Sequence, residues 1–445
     1  MKKVFLLFLA GCLFVNAYSQ KKWSLEECIN YAYENNLQIK QQQLNVNLNK
    51  NNLNQSKFNT LPNLNGQWQH NFSSGKSIDY NLFKYVDQSY WSGNLGIGSD
   101  MTLFSGLSTW NDIQQKKYKF LQSQSDLEKT KNDVALNLTV GYLNILFAKE
   151  RVEVAKNKLE VTSLQAERTR KLMEVGNVAQ GEYFEIQAQE SNDKLALINE
   201  MNTLDIAYLE LTQFLDFDSV GDFDIIVPEH LEVELIAPPQ SVEYIYSKAL
   251  DHMPQIRSAE FELKSSEKEL SKAWGQVSPT IGISGTLYTR YSEIAELPSN
   301  PGADYPYNDQ LKDYFYKQFG IGITVPIFNR MQVKTSIGNA RLGVQNSQLV
   351  LDQTKLALYK EIQQAHADAL AAMEEYNSSQ EAVKANREAF KYAQQKLDVG
   401  LMNSVDFNVT KNNMITAESA LIQAKYKYIF RLKILDFYMG NPIVL

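Results

Sequence analysis

Leu64-Asn65-Gly66-Gln67-Trp68-Gln69-His70-Asn71-Phe72 is the stretch that decides how this chain is read. Leu64, Gly66, Trp68 and Phe72 share one parity, and Asn65, Gln67, Gln69 and Asn71 take the other. After a polar stretch the pattern returns: Trp91, Gly93, Leu95, Ile97, Met101 and Leu103 alternate with Ser92, Asn94, Gly96, Gly98, Asp100 and Thr102. Successive side chains on a strand point to opposite faces, so each run has one apolar and one polar wall. Each run is roughly 9–13 residues long, enough to cross a bilayer as a tilted strand. A hairpin half-buried in a soluble sandwich has the same alternation. The rest of the chain decides between them.

Working outward, the whole unit around this hairpin occurs twice. Ser24-Leu25-Glu26 matches Ser241-Val242-Glu243, Gln38-Ile39-Lys40 matches Gln255-Ile256-Arg257, and Pro62 matches Pro279, all at an offset of 217. The first strand has its counterpart in Ile281, Ile283 and Leu287, alternating with Gly282, Ser284 and Thr286. The second strand repeats at an offset of 224: Gly96-Ile97-Gly98 matches Gly320-Ile321-Gly322, and Leu103-Phe104 matches Ile327-Phe328. The change of offset falls between the paired strands, which places surface loops at about Ser73–Tyr90 and Tyr288–Tyr316.

Each hairpin is flanked by helical sequence. Ser24 with Glu27 three residues on forms a capping box that opens a helix. The polar segment from Leu37 to Phe58 reads either as an Asn/Gln-rich disordered tract or as a helix wetted on more than one side, with a Leu37/Leu44/Leu48 stripe. The helical reading is preferred, with Pro62 marking its end. Residues 107–174 and 331–398 contain no Pro, and either run, helical throughout, would reach roughly 100 Å. Shorter helices follow at 181–214 and 404–438. The domain reading is thus repeat 1 at 20–215, with strands near 63–72 and 91–104, and repeat 2 at 241–445, with strands near 280–289 and 317–328. Between them, 216–240 reads as a linker with a strand-like Phe223–Val227.

Composition narrows the class. The chain has 445 residues, a formal charge of −7 and no basic block, which speaks against nucleic acid as a partner. Lys2 and Lys3 precede the apolar run Val4–Val15, a secretory leader cleaved after Ser19, making 1–19 a signal peptide. Leu9-Ala10-Gly11-Cys12 also fits a lipoprotein leader with Cys12 as the lipidated residue, a minor alternative. No later segment offers about 20 uninterrupted apolar residues, as a membrane-spanning helix requires. His70, His230, His252 and His366 lack ligand spacing, and no phosphate-loop, zinc or nucleophile-elbow pattern appears. The expectation is no metal, no cofactor and no enzyme.

One chain supplies four amphipathic strands. Closed bacterial membrane barrels start at about eight, and an open sheet leaves unpaired edges in lipid. The barrel must therefore be shared, with two copies giving eight strands and three giving twelve.

The chain resembles the TolC-type outer-membrane efflux proteins over nearly its whole mature length. The resemblance rests on Ser24-Leu25-Glu26-Glu27 with Glu34-Asn35-Asn36, on Leu61-Pro62, on Leu103-Phe104-Ser105-Gly106, and on Val325-Pro326-Ile327-Phe328. It rests also on a Val-Gly with an acidic residue six positions on, in both repeats. It implies a mainly α fold with a membrane β-barrel contribution: a homotrimer with a twelve-stranded barrel in outer-membrane lipid and a helical barrel through the periplasm. It implies partners as well, a periplasmic adaptor and an inner-membrane pump of RND or ABC type.

The implied site is a duct rather than a catalytic centre. Asn65, Gln67, Gln69 and Asn94 are the lumen-facing strand residues, while Trp68, Trp91, Tyr90, Tyr288 and Tyr316 are candidates for interfacial aromatic belts. The turns Val175-Gly176-Asn177 and Val399-Gly400-Leu401 end helices, and the resemblance makes them the tip where the adaptor docks. Glu182 and Asp406 are candidates for acidic rings that favour cations at the entrance. The family's latch uses an arginine two residues after the second glycine and a tyrosine three before it; here those positions hold Met402 and Leu397. The function expected is the outer-membrane duct of a tripartite efflux pump. The alternatives are the outer-membrane component of a type I protein secretion system and, less favoured, a periplasmic coiled-coil adaptor.

Overall fold

The computed structural model describes residues 22–79, 84–217, 223–228, 239–297, 299–300 and 302–442. The leader, Cys12 included, and the linker segment around His230 and Pro238 lie outside these residues.

In chain order the elements are β1 (Lys22–Trp23), α1 (Leu25–Asn35), α2 (Leu37–Phe58), β2 (Asn65–Asp79), β3 (Lys84–Phe104), α3 (Ser108–Glu174), α4 (Gln180–Phe214) and β4 (Asp224–Ile225). The second half follows with α5 (Val242–His252), α6 (Pro254–Gly275), β5 (Thr280–Ser292), α7 (Tyr307–Asp313), β6 (Tyr316–Thr324), α8 (Gln332–Asp398) and α9 (Ser404–Tyr438). Among the described residues no helix is long and apolar enough to cross a membrane.

Two compact units emerge. Among the described residues, the first comprises those within 1–44, 125–257 and 353–445. The Ser24 hydroxyl accepts from the Glu27 N–H at 3.1 Å while the Glu27 carboxylate accepts from the Ser24 N–H at 3.0 Å, so the capping box starts α1 as its spacing requires. Asn36 breaks α1 from α2: its side-chain oxygen accepts from Gln38 and Ile39, and its amide donates to the Phe214 carbonyl. Ile245, Ala249, Met253 and Ile256 pack with Leu358, Ile362, Ala369 and Leu435 into one apolar cluster. The strand expected at Phe223–Val227 is only Asp224–Ile225, paired parallel with Lys22–Trp23. The Tyr142 hydroxyl secures that pair by donating to the Ile226 carbonyl at 2.6 Å.

The second unit comprises 45–124 and 258–352. Its sheet runs β2-β3-β5-β6, antiparallel throughout, so the two hairpins join through β3 and β5. Lys272 donates to Asp112 at 2.5 Å and Ser266 meets Ser347 at 2.8 Å, tying α6 to α3 and α8. The backbone turns from strand to helix at Gly106, whose φ is +61°. A Cβ there would lie 2.4 Å from the Gly275 carbonyl oxygen, so only glycine fits.

Three further expectations need correction. The strands of the first hairpin do not stop near Ser73 and Tyr90 but pair on to Asp79 and Lys84. Nothing in Ser73–Ile78 or Tyr85–Tyr90 is Pro, and alternating polar residues sustain a ribbon as well as apolar ones do. The strand expected at 317–328 ends at Thr324, because Pro326 cannot donate to a ladder. Finally, α2 is a helix, but its buried stripe is Ile39, Val46 and Leu53, while Leu37, Leu44 and Leu48 stay exposed.

Candidate functional site

The two helix turns are built alike. In each, glycine takes a positive φ, +79° at Gly176 and +76° at Gly400. The Asn177 N–H reaches the Leu172 carbonyl and the Leu401 N–H the Lys396 carbonyl, while Gly176 and Gly400 bond back to Met173 and Leu397. This is the six-to-one and five-to-two pairing of a Schellman motif. Val175, Val399 and Leu401 are exposed, and a Cβ on either glycine would meet nothing within 4 Å. Apolar side chains and bare backbone are thus presented together.

The next helices begin differently. Asn403 caps α9 by accepting from the Asp406 N–H at 2.8 Å, and its amide donates to the Asp406 carboxylate at 3.0 Å. Ala179 gives α4 no side-chain cap. Asp406 is therefore held by its own cap, whereas Glu182 borders a cleft of about 560 Å3 between the two turns. Leu397 and Met402 line that cleft with Val161, Leu164 and Phe407. The positions that carry a polar latch in the family are apolar lining here.

Two polar links join the hairpins across the cleft. Arg168 pairs with Asp398 at 3.0 Å, and this guanidinium, with Gln394, holds the Asp398 carboxyl below the usual carboxylate range. Both side chains are largely open to solvent, which screens the pair, so it adds little to stability. The second link is buried: Lys411 is 3% exposed, Asp193 1% and Thr162 0%. The Lys411 ammonium donates to the Thr162 hydroxyl at 2.6 Å and lies 3.3 Å from the Lys158 carbonyl. Thr162 and Gln189 donate to Asp193 at 2.6 and 2.8 Å, and Lys158 pairs with it at 3.1 Å. Burial pushes the Lys411 ammonium down to about 8. Neither link was visible in the sequence. Thr162, Asp193 and Lys411 lie on three separate helices, and each sits in an ordinary polar helical context.

On the sheet, register sorts the side chains. Gly66 faces Ile97, Trp68 faces Leu95 and Phe72 faces Trp91; Ile97 then meets Leu287, and Met101 meets Ile283, which meets Ile321. One face is thus apolar across all four strands, and Trp68, Leu95, Ile97, Phe319 and Ile321 on it are exposed. Asn65, Gln67, Gln69 and Asn94 share the other face, where the Asn94 amide donates to Gln69 at 3.0 Å. The aromatic candidates separate. Trp68 and Trp91 stack about His70 on the apolar face, whereas Tyr90 pairs with Ser73 and Tyr288 with Gly96 and Tyr316 on the polar one. Among the described residues no three His, Cys, Asp or Glu side chains cluster to hold a metal.

The family described as "Outer membrane efflux protein" matches residues 28–215 and 245–441. The chain is 21% identical over 408 residues to the outer membrane efflux protein BepC of Brucella suis biovar 1 (strain 1330), covering 89% of this chain and 80% of that one. It is 20% identical over 434 residues to the outer membrane protein TolC of Vibrio cholerae serotype O1 (strain ATCC 39315 / El Tor Inaba N16961), covering 96% and 93%. The fold matches the crystal structure of the Campylobacter jejuni CmeC outer membrane channel with a TM-score of 0.78 at 17% identity, over 94% of this chain and 85% of that one.

Proposed function

We propose that this chain, which belongs to the outer membrane efflux protein family, is the exit duct of a tripartite efflux pump. Three copies close a twelve-stranded barrel whose apolar face meets lipid and whose Asn65, Gln67, Gln69 and Asn94 face the water-filled lumen. The observation that carries this is the four-stranded sheet itself. One of its faces is apolar and exposed, and its outer strands, β2 and β6, each have a partner on one side only. Apolar surface and open edges of this extent are satisfied together by lipid and by further copies.

The internal repeat suggests where neighbouring copies meet. Within one chain α3 packs on α6: Tyr118 stacks on Phe261, and Ser265 donates to the Gln115 carbonyl. The repeat-equivalent positions, on α8 and α2, are Leu342 with Leu44 and Asn339 with Leu48. Leu342 and Leu44 are 63% and 69% exposed. The α8 of one copy covering the α2 of the next reproduces the internal packing around the ring. Cysteines at Leu44 and Leu342 should cross-link the chain into a species of three on oxidation, while either alone should not. Monomers only, or a ladder ending at two, would overturn the trimer.

Val175-Gly176-Asn177 and Val399-Gly400-Leu401 form the docking tip for a periplasmic adaptor, which links the duct to an inner-membrane pump of RND or ABC type. Gly400→Trp should abolish export while leaving the trimer intact; unchanged export would remove the tip from this role. Glu182 and Asp406, repeated three times, make the entrance favour cations, with Glu182 the freer of the two carboxylates. Co-purification in mild detergent separates the pump reading from the type I secretion reading, since the captured energiser is a proton-driven pump in the first case and a transporter ATPase exporting a protein in the second.

A further inference from the structure

The polar face of the sheet carries a feature that a hydrated wall does not require. Arg290 stands there opposite Asn94, and two residues along β5 Tyr288 lies between Gly96 and Tyr316. Tyr314, just beyond α7, turns its ring to the guanidinium, whose carbon lies 5.2 Å from the ring centroid. Thr286, Tyr288, Arg290, Tyr314, Tyr316 and Gln318 line a depression of about 460 Å3.

The depression is built. Gln310, 2% exposed, accepts from the Ser292 N–H at 2.8 Å and donates to the carbonyls of Ser292 and Tyr305 at 3.0 and 2.7 Å. Thr289 donates to the Leu311 carbonyl at 2.8 Å. These bonds clamp α7 to the end of β5, and the Tyr314 N–H bonds back to Gln310 at 2.9 Å. Tyr314 is therefore fixed over Arg290 by the fold of the loop. The glycine opposite Tyr288 provides a flat floor: a Cβ on Gly96 would come within 3.4 Å of the tyrosine ring.

The guanidinium is left with its donors available. Among the described residues the Arg290 side chain has no ion pair and no hydrogen bond, only the Tyr314 ring contact. Asp313, in the same loop, is taken by the Tyr305 hydroxyl. Asp100 lies on the same polar face six residues down β3 from Asn94, roughly 20 Å away along the strand, and is tied to Asn63 at 2.8 Å. A planar cation with free donors, set against the Tyr314 ring in a depression that Tyr288 and Tyr316 also line, suits a flat π-system bearing a carboxylate or sulfonate. The rings take the π-face and the guanidinium takes the anion.

We propose that Arg290, with Tyr288, Tyr314 and Tyr316, forms a transit site for aromatic anions on the pore wall, one in each copy. The inference rests on the duct reading, which makes the polar face a lumen. The site lies toward the end of β5 that carries α7, away from the junction of β5 with α6. Its charge is opposite to that of the acidic entrance, and it discriminates between solutes that the entrance admits.

The test is single-pore recording of the purified full chain in a planar lipid bilayer. The probes are 1-naphthalenesulfonate, methanesulfonate as an anion without a ring, and 1-naphthylmethylammonium as a ring without the anion. The wild type should show transient block by 1-naphthalenesulfonate alone. Arg290→Gln should weaken that block about tenfold or more, the scale of a lost hydrogen bond to a charged group. Tyr316→Leu should weaken it less, and Lys317→Gln, on the other face, should leave it unchanged. Equal block of wild type and Arg290→Gln pores overturns the site while leaving the duct standing, as does equal block by methanesulfonate. Absence of pores from the wild-type protein overturns the duct reading, and the site with it.

Discussion

The two repeats carry helices of the same four lengths, 11, 22, 67 and 35 residues, but strands of 15 and 21 residues in the first and 13 and 9 in the second. The whole difference in repeat length falls between the strands of a hairpin. The first hairpin continues as a two-stranded ribbon past the end of β5, and the second closes with a folded loop that contains α7. One residue inserted in a helix turns every later side chain by about 100° and spoils its packing along the remaining length. A hairpin that has already left the sheet has no such downstream partners. Duplicated helices were therefore held to length, and hairpin ends were free to diverge and to acquire a pocket.

Polar contacts diverged too, and this sharpens the comparison into experiments. The buried network of Lys158, Thr162, Asp193 and Lys411 has Ala382, Asn386, Ala417 and Gln187 at its repeat-equivalent positions. Asp193→Ala leaves two lysines against no carboxylate and should destabilise the helical unit by about 3–5 kcal/mol, the scale for breaking a buried charge pair. Ala417→Ser should stay within about 0.5 kcal/mol. Denaturation midpoints followed by circular dichroism compare them, and equal shifts would show that the network carries no special weight.

The strand-to-helix crossings come next in size. Gly106 has a φ of +61° against the Gly275 carbonyl, and its counterpart Arg330 has a φ of +53°. Gly106→Ala should cost about 2–4 kcal/mol, combining left-handed strain with overpacking. Arg330→Gly should stabilise by up to about 1 kcal/mol by removing strain alone. Thermal melting of the purified protein reads both, and opposite signs are the point of the comparison.

A pH series isolates Lys411. Its native value near 8 lies below the 10.5 of an ordinary lysine, so between those values the unfolded chain binds more protons here than the native one. Stability from this group therefore rises with pH across that window and is lowest below it. Lys411→Met should flatten the rise; an unchanged profile would show that another group produces it.

The smallest contrast lies in the caps. Ser24 makes a reciprocal box with Glu27, whereas Ser241 makes one long bond, 3.4 Å, to the Tyr244 N–H. Ser24→Ala should cost about 1 kcal/mol and Ser241→Ala about half that, measured as shifts in the same melting transition.

Much of the candidate site was legible in the sequence. Gly176 and Gly400 were readable as turn residues because only glycine takes that backbone conformation cheaply. The sharing of a face by Asn65, Gln67, Gln69 and Asn94 followed from parity. The leucines of α2 were harder to place. Ile39/Val46/Leu53 and Leu37/Leu44/Leu48 both recur at near-heptad spacing, and periodicity alone does not say which stripe meets its own chain. Tyr288 and Tyr316 were read as belt residues because aromatic content suggests an interface, but Tyr288 shares the parity of Gly282, Ser284 and Thr286, and the β5–β6 register carries Tyr316 onto the same polar face. Lys411 and Asp193 carried no signal, since polar residues on long polar helices are common and burial arises only when three helices converge.

By itself the sequence determined the periods: helical and strand repeats, their duplication, the turn glycines and the alternation of faces. These follow from the stereochemistry of each residue and its near neighbours, which act over a few positions in any surroundings. Only the tertiary structure decided which stripe is buried, how far the hairpins pair, and which charges on distant helices share one dry site. It also decided that an arginine on the polar wall stands among tyrosines. Those outcomes depend on register and on contacts beyond the local window, from hairpin partners to residues 249 positions apart, where local preference says nothing about what lies opposite.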